Sequence, residues 1–133
     1  DYGAARLIGA DVPLERPYTG GQAVPISLLW RFEGWPPNLE PLDYSVNVSL
    51  IGLNGATLAQ RAGTPAGTFG RMTAWQPGHY IRDNHALLIP PGTPPGRYEI
   101  WVLVFDWRDG RSLPIRNRAA AQTHIVIGTL EVK

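Results

Sequence analysis

Two histidines and an aspartate are the side chains in this sequence whose types most suggest chemistry: His79, Asp83 and His85. Imidazole and carboxylate groups are ligands of zinc and iron. Odd-numbered positions of one β-strand share a face, but at about 3.3 Å per residue His79 lies roughly 13 Å from Asp83 and roughly 20 Å from His85. Only Asp83 and His85 could share an ion, with further ligands from elsewhere. We therefore interpret the three residues as an exposed strand face and predict no metal site.

The remaining reactive side chains have no spacing that is specific for a reaction. Asp106, Asp109 and Gly110 lack the further oxygen ligands and closing Glu of a calcium loop and predict a hairpin turn instead. There is no G-x-S-x-G elbow, dinucleotide fingerprint or Walker loop. A glycosidase needs two carboxylates at a set separation, which a sequence does not define. The carboxylates available for such a pair are Glu33, Glu40, Asp43 and Glu99. We predict no catalytic residue and no cofactor.

Charge and composition narrow the class of protein. Twelve basic and eleven acidic residues leave a net charge of +1, and charged residues make up only 17 % of the chain. Binding to phosphate backbones needs a concentrated basic surface, and the cluster Arg116, Asn117 and Arg118 is too small, so we exclude nucleic acid as the main partner. With no cysteine, the chain has no disulfide framework or thiolate chemistry. No apolar run approaches the length of a membrane span.

The elements that must position any site are short strands. Thirteen prolines and fifteen glycines punctuate the 133 residues, which disfavours long helices. The segments between them mostly alternate apolar and polar residues, as half-buried strands do. In residues 44–51, for example, Tyr44, Val46 and Val48 share one face, and serine and asparagine occupy the other. The predicted strands are residues 5–12, 24–32, 44–51, 56–61, 79–89, 97–107 and 123–132.

Two turn signals organise these strands. Asn54-Gly55 predicts a two-residue hairpin turn. Residues 90–96 (PPGTPPG) interrupt strand hydrogen bonding just before the most apolar segment, residues 97–107. Both faces of that segment are apolar, so we predict a central strand covered on both sides. The pattern predicts one domain spanning residues 1–133, an all-β, immunoglobulin-like or fibronectin-III-like antiparallel two-sheet sandwich of seven or eight strands. Because the first residue is Asp1, we expect the domain to be part of a longer protein.

The aromatic residues are the best candidates for ligand contacts. Exposed Trp and Tyr provide stacking surfaces for sugar rings and anchors for protein partners. Trp35 lies beside two prolines, Trp107 at a predicted hairpin and Tyr80 next to a loop, and these three are our predicted contacts. Trp30 and Trp101 are expected in the core, and Trp75 is expected to pack structurally.

Several motifs also resemble a known family. They are AWQPG at 74–78, RD at 82–83, LIP at 88–90, PPGRY at 94–98, VFD at 104–106 and RSLP at 111–114, between an opening strand RLIGAD at 6–11 and a closing strand IVIGTLEV at 125–132. Together they resemble the C-terminal extracytoplasmic β-sandwich region of bacterial polytopic membrane proteins that are like glycosyltransferases of the protein-mannosyltransferase class. In that family a Tyr-Asp turn is expected where this chain has Phe105 and Trp107.

The resemblance implies a non-catalytic accessory module on the outer face of the cell membrane, beside a membrane-embedded catalytic core that holds the family's catalytic carboxylates. Such a module would position glycans or the membrane-embedded part of its parent protein. The alternatives are a stand-alone carbohydrate-binding module, a structural or adhesion spacer without a ligand and, ranked last, an enzyme.

Overall fold

The computed structural model describes residues 1–63, 71–115 and 122–133 and forms a seven-stranded antiparallel sandwich. The predicted basic cluster at residues 116–118 lies outside the described residues. The strands are β1 (Ala5–Asp11), β2 (Ala23–Phe32), β3 (Ser45–Ile51), β4 (Thr57–Gly63), β5 (Tyr80–Leu88), β6 (Gly96–Phe105) and β7 (His124–Val132), with one 3₁₀ turn at Met72–Ala74. No helix in these described ranges is long and apolar enough to cross a membrane.

Two sheets pack face to face, one of three strands in the order β1-β2-β5 and one of four strands in the order β4-β3-β6-β7. The fourth strand pairs with the third, in the sheet of the sixth and seventh strands, which is the position of the added C′ strand of a variable-type immunoglobulin domain and not of the fourth strand of a constant-type domain. The predicted fold class and the predicted strands are therefore confirmed. Most strand ends differ from the sequence-based bounds by one or two residues, as expected at frayed termini.

The core follows the predicted alternation. Along β2 every second side chain, from Val24 to Phe32, is at most 1 % exposed, and Trp30 is among them. The inward residues of β3 and β6 close the core from the other sheet: Val46, Val48, Leu50, Ile100, Val102 and Val104 are also at most 1 % exposed. Apolar burial of this kind is the main stabilising term of the fold.

The proline- and glycine-rich segment 90–96 carries the chain from one sheet to the other, because β5 belongs to the three-stranded sheet and β6 to the four-stranded sheet. Tyr98, near the start of β6, reaches back over this segment and donates its hydroxyl to the carbonyl of Pro94, at 2.5 Å. This hydrogen bond is the tyrosine corner found at the same place in immunoglobulin-like sandwiches. The predicted turn before a central strand is confirmed, and Tyr98 fixes it.

The hairpin signals are confirmed, with one change of geometry. Gly55 has a φ of 80° and donates to the carbonyl of Gly52, while Gly52 donates to Ala56. The β3–β4 connection is therefore longer than the predicted two-residue turn, since the left-handed glycine follows the turn rather than forming its centre. At the second hairpin, Gly110 donates to the carbonyl of Asp106, and Phe105 pairs with Ser112, as expected for a turn at residues 106–111.

Candidate functional site

The predicted contact residues occupy different environments. Trp35 is half-buried: its ring lies edge-on to Phe32 with the ring centroids 5.4 Å apart, and its centroid is 6.0 Å from that of Tyr44. Trp107 is 58 % exposed and Tyr80 is 62 % exposed. Trp75 is buried edge-on against Phe32, which confirms its structural packing. Of the three predicted contacts, Trp107 and Tyr80 are therefore the accessible ones.

Trp107 sits in a loop that charged groups hold in place. Arg108 Nη2 lies 2.9 Å from Glu40 Oε2, in the β2–β3 connection, and 2.8 Å from Asp106 Oδ2. The hydrogen bond from Arg108 lowers the pKa of Asp106, and the two carboxylates raise the pKa of Arg108. These contacts join two loops at the end of the sandwich where β2 ends and β3 begins, and they present the Trp107 ring to solvent.

The structure contradicts the prediction that Asp83 and His85 belong to an exposed strand face. They do not lie on an exposed face: Asp83 is 1 % exposed and His85 is 8 % exposed, both on the inward side of β5. Asp83 Oδ2 accepts the indole N–H of Trp30 at 3.2 Å and lies 2.8 Å from His85 Nε2. The odd-numbered positions share a face as predicted, but that face is the core, where a buried carboxylate is tolerated because it has partners.

The geometry around this pair does not favour catalysis. Ser27 and His85 border one cavity of about 340 Å³, but Ser27 faces outward from β2 while the His85 side chain faces inward from β5. The imidazole is therefore on the wrong side of the sheet to take a proton from that hydroxyl. Among the described residues, no three or more His, Cys, Asp or Glu side chains come together to hold a metal ion.

Trp101 requires a second correction. It is not in the core; it is half-buried on the outer side of the four-stranded sheet, and its indole N–H donates to Glu99 at 3.2 Å. β6 does lie in the middle of its sheet, between β3 and β7, as predicted. Only its inner face is covered by the other sheet, however, since a sandwich strand has its other face outward. The apolar residues on both sides of β6 therefore indicate a contact surface as well as a core.

We call this outer surface the aromatic face; it is formed by Trp101, Leu103 and Phe105 of β6 and His124 of β7, all half-buried. The rings of Trp101 and His124 are stacked, with centroids 3.6 Å apart and planes 5° from parallel. Cross-strand pairing places Ser49 opposite Trp101 and Asn47 opposite Leu103. The aromatic face is thus a strip of rings and apolar side chains with a polar border.

The polar border is internally connected. Asn47 Nδ2 lies 3.5 Å from Gln60 Oε1 on β4, and Ser49 Oγ lies 3.4 Å from Asn47 Oδ1. These are long, weak hydrogen bonds, so the amides retain donors and acceptors for an incoming group. Sequence reasoning missed this face because it assigned Trp101 to the core. The only signal was the double-sided apolar pattern of β6 next to serine and asparagine on the outer side of β3.

No protein-family model matches the chain, and no curated protein matches it.

Proposed function

We propose that this chain is a non-catalytic, extracytoplasmic β-sandwich module that binds glycan on its aromatic face, as an accessory part of a bacterial membrane protein of the glycosyltransferase type. The observation that carries the proposal is the stacked Trp101–His124 pair on the outer side of the four-stranded sheet, in the same two rows of paired residues as Gln60 and Asn47. An aromatic ring accepts the apolar side of a sugar, and planar amide and carboxylate groups accept its hydroxyls.

The non-catalytic part of the proposal rests on where the reactive groups are. Asp83 and His85 are buried and hydrogen-bond to each other, and Asp83 also accepts the indole N–H of Trp30. Asp106 is tied to Arg108 in a loop contact. These side chains are engaged in contacts within the sandwich, and we assign recognition to the exposed and half-buried residues of the aromatic face.

Titration of the protein with neutral gluco-, manno- and chito-oligosaccharides, followed by calorimetry, tests the proposal. We expect Trp101→Ala to weaken binding about tenfold, since one aromatic contact contributes about 0.5–1.5 kcal/mol and tenfold corresponds to about 1.4 kcal/mol. Leu53→Ala is the control, because Leu53 is 92 % exposed in the β3–β4 turn, away from the aromatic face. Equal binding by wild type and Trp101→Ala would contradict the proposal.

A second candidate is favoured by the apolar part of the same surface. Leu103 and Phe105 are half-buried, and Val126 on β7 is 44 % exposed, next to Trp101. An apolar strip of this kind also suits docking against the membrane-embedded part of a parent protein. A Leu103→Glu variant distinguishes the two candidates. Docking would be favoured if this variant no longer associates with the parent protein and the wild-type protein binds no oligosaccharide.

A further inference from the structure

The opposite side of the sandwich carries a second group of accessible residues, on the outer surface of the three-stranded sheet. Arg6, Arg31 and Tyr80 are register partners across β1, β2 and β5, so they form one row. Arg82 follows Tyr80 on the same side of β5, opposite Leu29. We call these four residues, Arg6, Arg31, Tyr80 and Arg82, the arginine face.

The arginine face concentrates positive charge in a chain whose net charge is only +1. Arg6 and Arg31 are directly opposite each other, an arrangement that destabilises a sheet because the like charges repel. Glu33 is the carboxylate that compensates part of this charge, with its Oε1 3.6 Å from Arg31 Nη1. Asp11 is an outward-facing carboxylate of the same sheet. It pairs with Ser27, which is four residues from Arg31 and so about 13 Å away along β2, at about 3.3 Å per residue.

The guanidinium groups also keep unused donors. Each has five N–H groups. Arg82 uses one for Ser27 Oγ, at 3.1 Å. Arg31 contacts Glu33 through Nη1 while its side chain stays 40 % exposed, so its terminal N–H groups, and not its buried Nε, are the ones open to a ligand. A guanidinium that keeps free donors in a like-charged row is suited to bind a carboxylate, which two parallel N–H groups can hold together.

Tyr80 adds an exposed aromatic ring to this row of arginines. The other tyrosines are buried, and each donates its hydroxyl to a backbone carbonyl; they are Tyr2, Tyr18, Tyr44 and Tyr98. Tyr80 is 62 % exposed, and the guanidinium carbon of Arg31 lies 6.0 Å from its ring centroid. The arginine face therefore presents an accessible aromatic ring directly beside cations.

We propose that the arginine face binds an acidic sugar of a glycan chain, with the carboxylate of a uronic acid held by the arginines and the sugar ring lying on Tyr80. The inference rests on the proposed glycan-binding function and names a substrate class for it, but it uses the opposite sheet from the aromatic face. The two sites lie on different surfaces, so a substitution in one face leaves the residues of the other face unchanged, and the variants separate the two sites.

Calorimetric titration with oligogalacturonate, and with a neutral gluco-oligosaccharide of the same length, tests the site. We expect wild type to bind the acidic oligomer, with affinity falling at least tenfold between 50 and 500 mM NaCl because salt screens the charges. The double variant Arg6→Gln/Arg82→Gln and the variant Tyr80→Ala should each weaken this binding at least tenfold. Arg16→Gln is the matched control, since Arg16 is exposed in the β1–β2 loop at the other end of the sandwich, and it should change affinity less than twofold.

Three results overturn the proposal. The first is no measurable binding of oligogalacturonate by wild type. The second is an equal loss in Arg16→Gln and the double variant, which would indicate non-specific charge attraction. The third is binding to vesicles of anionic lipid that depends on Arg6 and Arg82 while oligogalacturonate does not compete. If the wild-type protein binds the neutral oligosaccharide but not oligogalacturonate, this site alone is refuted, whereas binding of neither sugar refutes the proposed function as well.

Discussion

The two loop tryptophans are expected to respond differently to removal, and the difference can be worked out from their surroundings. Full burial makes a Trp→Ala change cost about 3–5 kcal/mol. Trp35 is half-buried, so we take about half of that, and its ring pairs with Phe32 and Tyr44 add about 0.5–1.5 kcal/mol each. Together these contributions give an expected loss of about 2.5–5.5 kcal/mol for Trp35→Ala. Trp107, 58 % exposed, should cost less than about 1 kcal/mol.

Urea denaturation followed by circular dichroism measures both changes. With an m-value of about 1–3 kcal/mol per M for a domain of this size, Trp35→Ala should lower the midpoint by at least about 1 M, and Trp107→Ala by a few tenths. The m-value itself should not change, because the surface exposed on unfolding is nearly the same. Trp30→Ala is the reference for a fully buried tryptophan. Similar losses for Trp35→Ala and Trp107→Ala would refute the reasoning, and a large loss for Trp107 would also end its candidacy as a contact residue.

Three further predictions concern hydrogen bonds. Tyr98→Phe should cost about 1 kcal/mol in urea unfolding, the net value of one hydrogen bond, because it removes the tyrosine corner and keeps the ring. Asp83→Ala should cost about 2–6 kcal/mol in the same assay, because it leaves two buried groups, the indole N–H of Trp30 and the imidazole of His85, without this partner at about 1–3 kcal/mol each. Hydrogen bonding by the Thr73 side chain lowers the pKa of Asp43 in the folded state below the ordinary 3.8. The resulting stabilisation should therefore be complete above that pH and be lost as the pH falls below it. Thr73→Ala should flatten the acid limb of the curve of stability against pH.

The first two predictions have control variants, and the third has a result that would contradict it. Tyr80→Phe removes an exposed hydroxyl and should leave stability within about 0.5 kcal/mol, so an equal effect at Tyr98 would contradict the tyrosine corner. Asp109→Ala removes an exposed carboxylate and should be mild, so equal losses at Asp83 and Asp109 would contradict the buried network. A Thr73→Ala protein with an unchanged acid limb would show that Asp43 does not contribute through this contact.

Much of the fold could be predicted because its determinants are local. Alternating side chains in β2 and β3 identify the inward face without knowledge of the partner sheet. The prolines and glycines of residues 90–96 mark the change of sheet in the same way, because they remove strand hydrogen bonds wherever they occur. The length of the β3–β4 turn was predicted less accurately, because the pair Asn54-Gly55 fits more than one hairpin geometry.

The sites depend on information that no local pattern contains. Asp83 follows the period of its strand into the core, but its polarity favours the surface, and the conflict is settled by the distant indole of Trp30. Trp101 has the same side-chain chemistry whether or not a second layer covers it. The row of Arg6, Arg31 and Tyr80 exists only through the pairing of three strands far apart in sequence. Strand register is a tertiary property that no local pattern contains. Tyr80 was therefore predicted as a contact residue from its aromatic type alone, and the arginines were not predicted.

The pairing of β2 with β5 also has a consequence for the order of folding. Partners in this pair, such as Trp30 and Ile81, are about fifty residues apart in the sequence, and β3 and β4 lie between them. Closing so long a loop is entropically costly, whereas the β3–β4 hairpin needs only a short one. We therefore expect that hairpin to form early and β5 to dock late, giving refolding on the millisecond-to-second scale typical of sheets built from distant strands. During synthesis, β2 would emerge with one edge unpaired until more than fifty further residues have followed, so the chain depends on prompt pairing or on protection of that edge to avoid association with other chains.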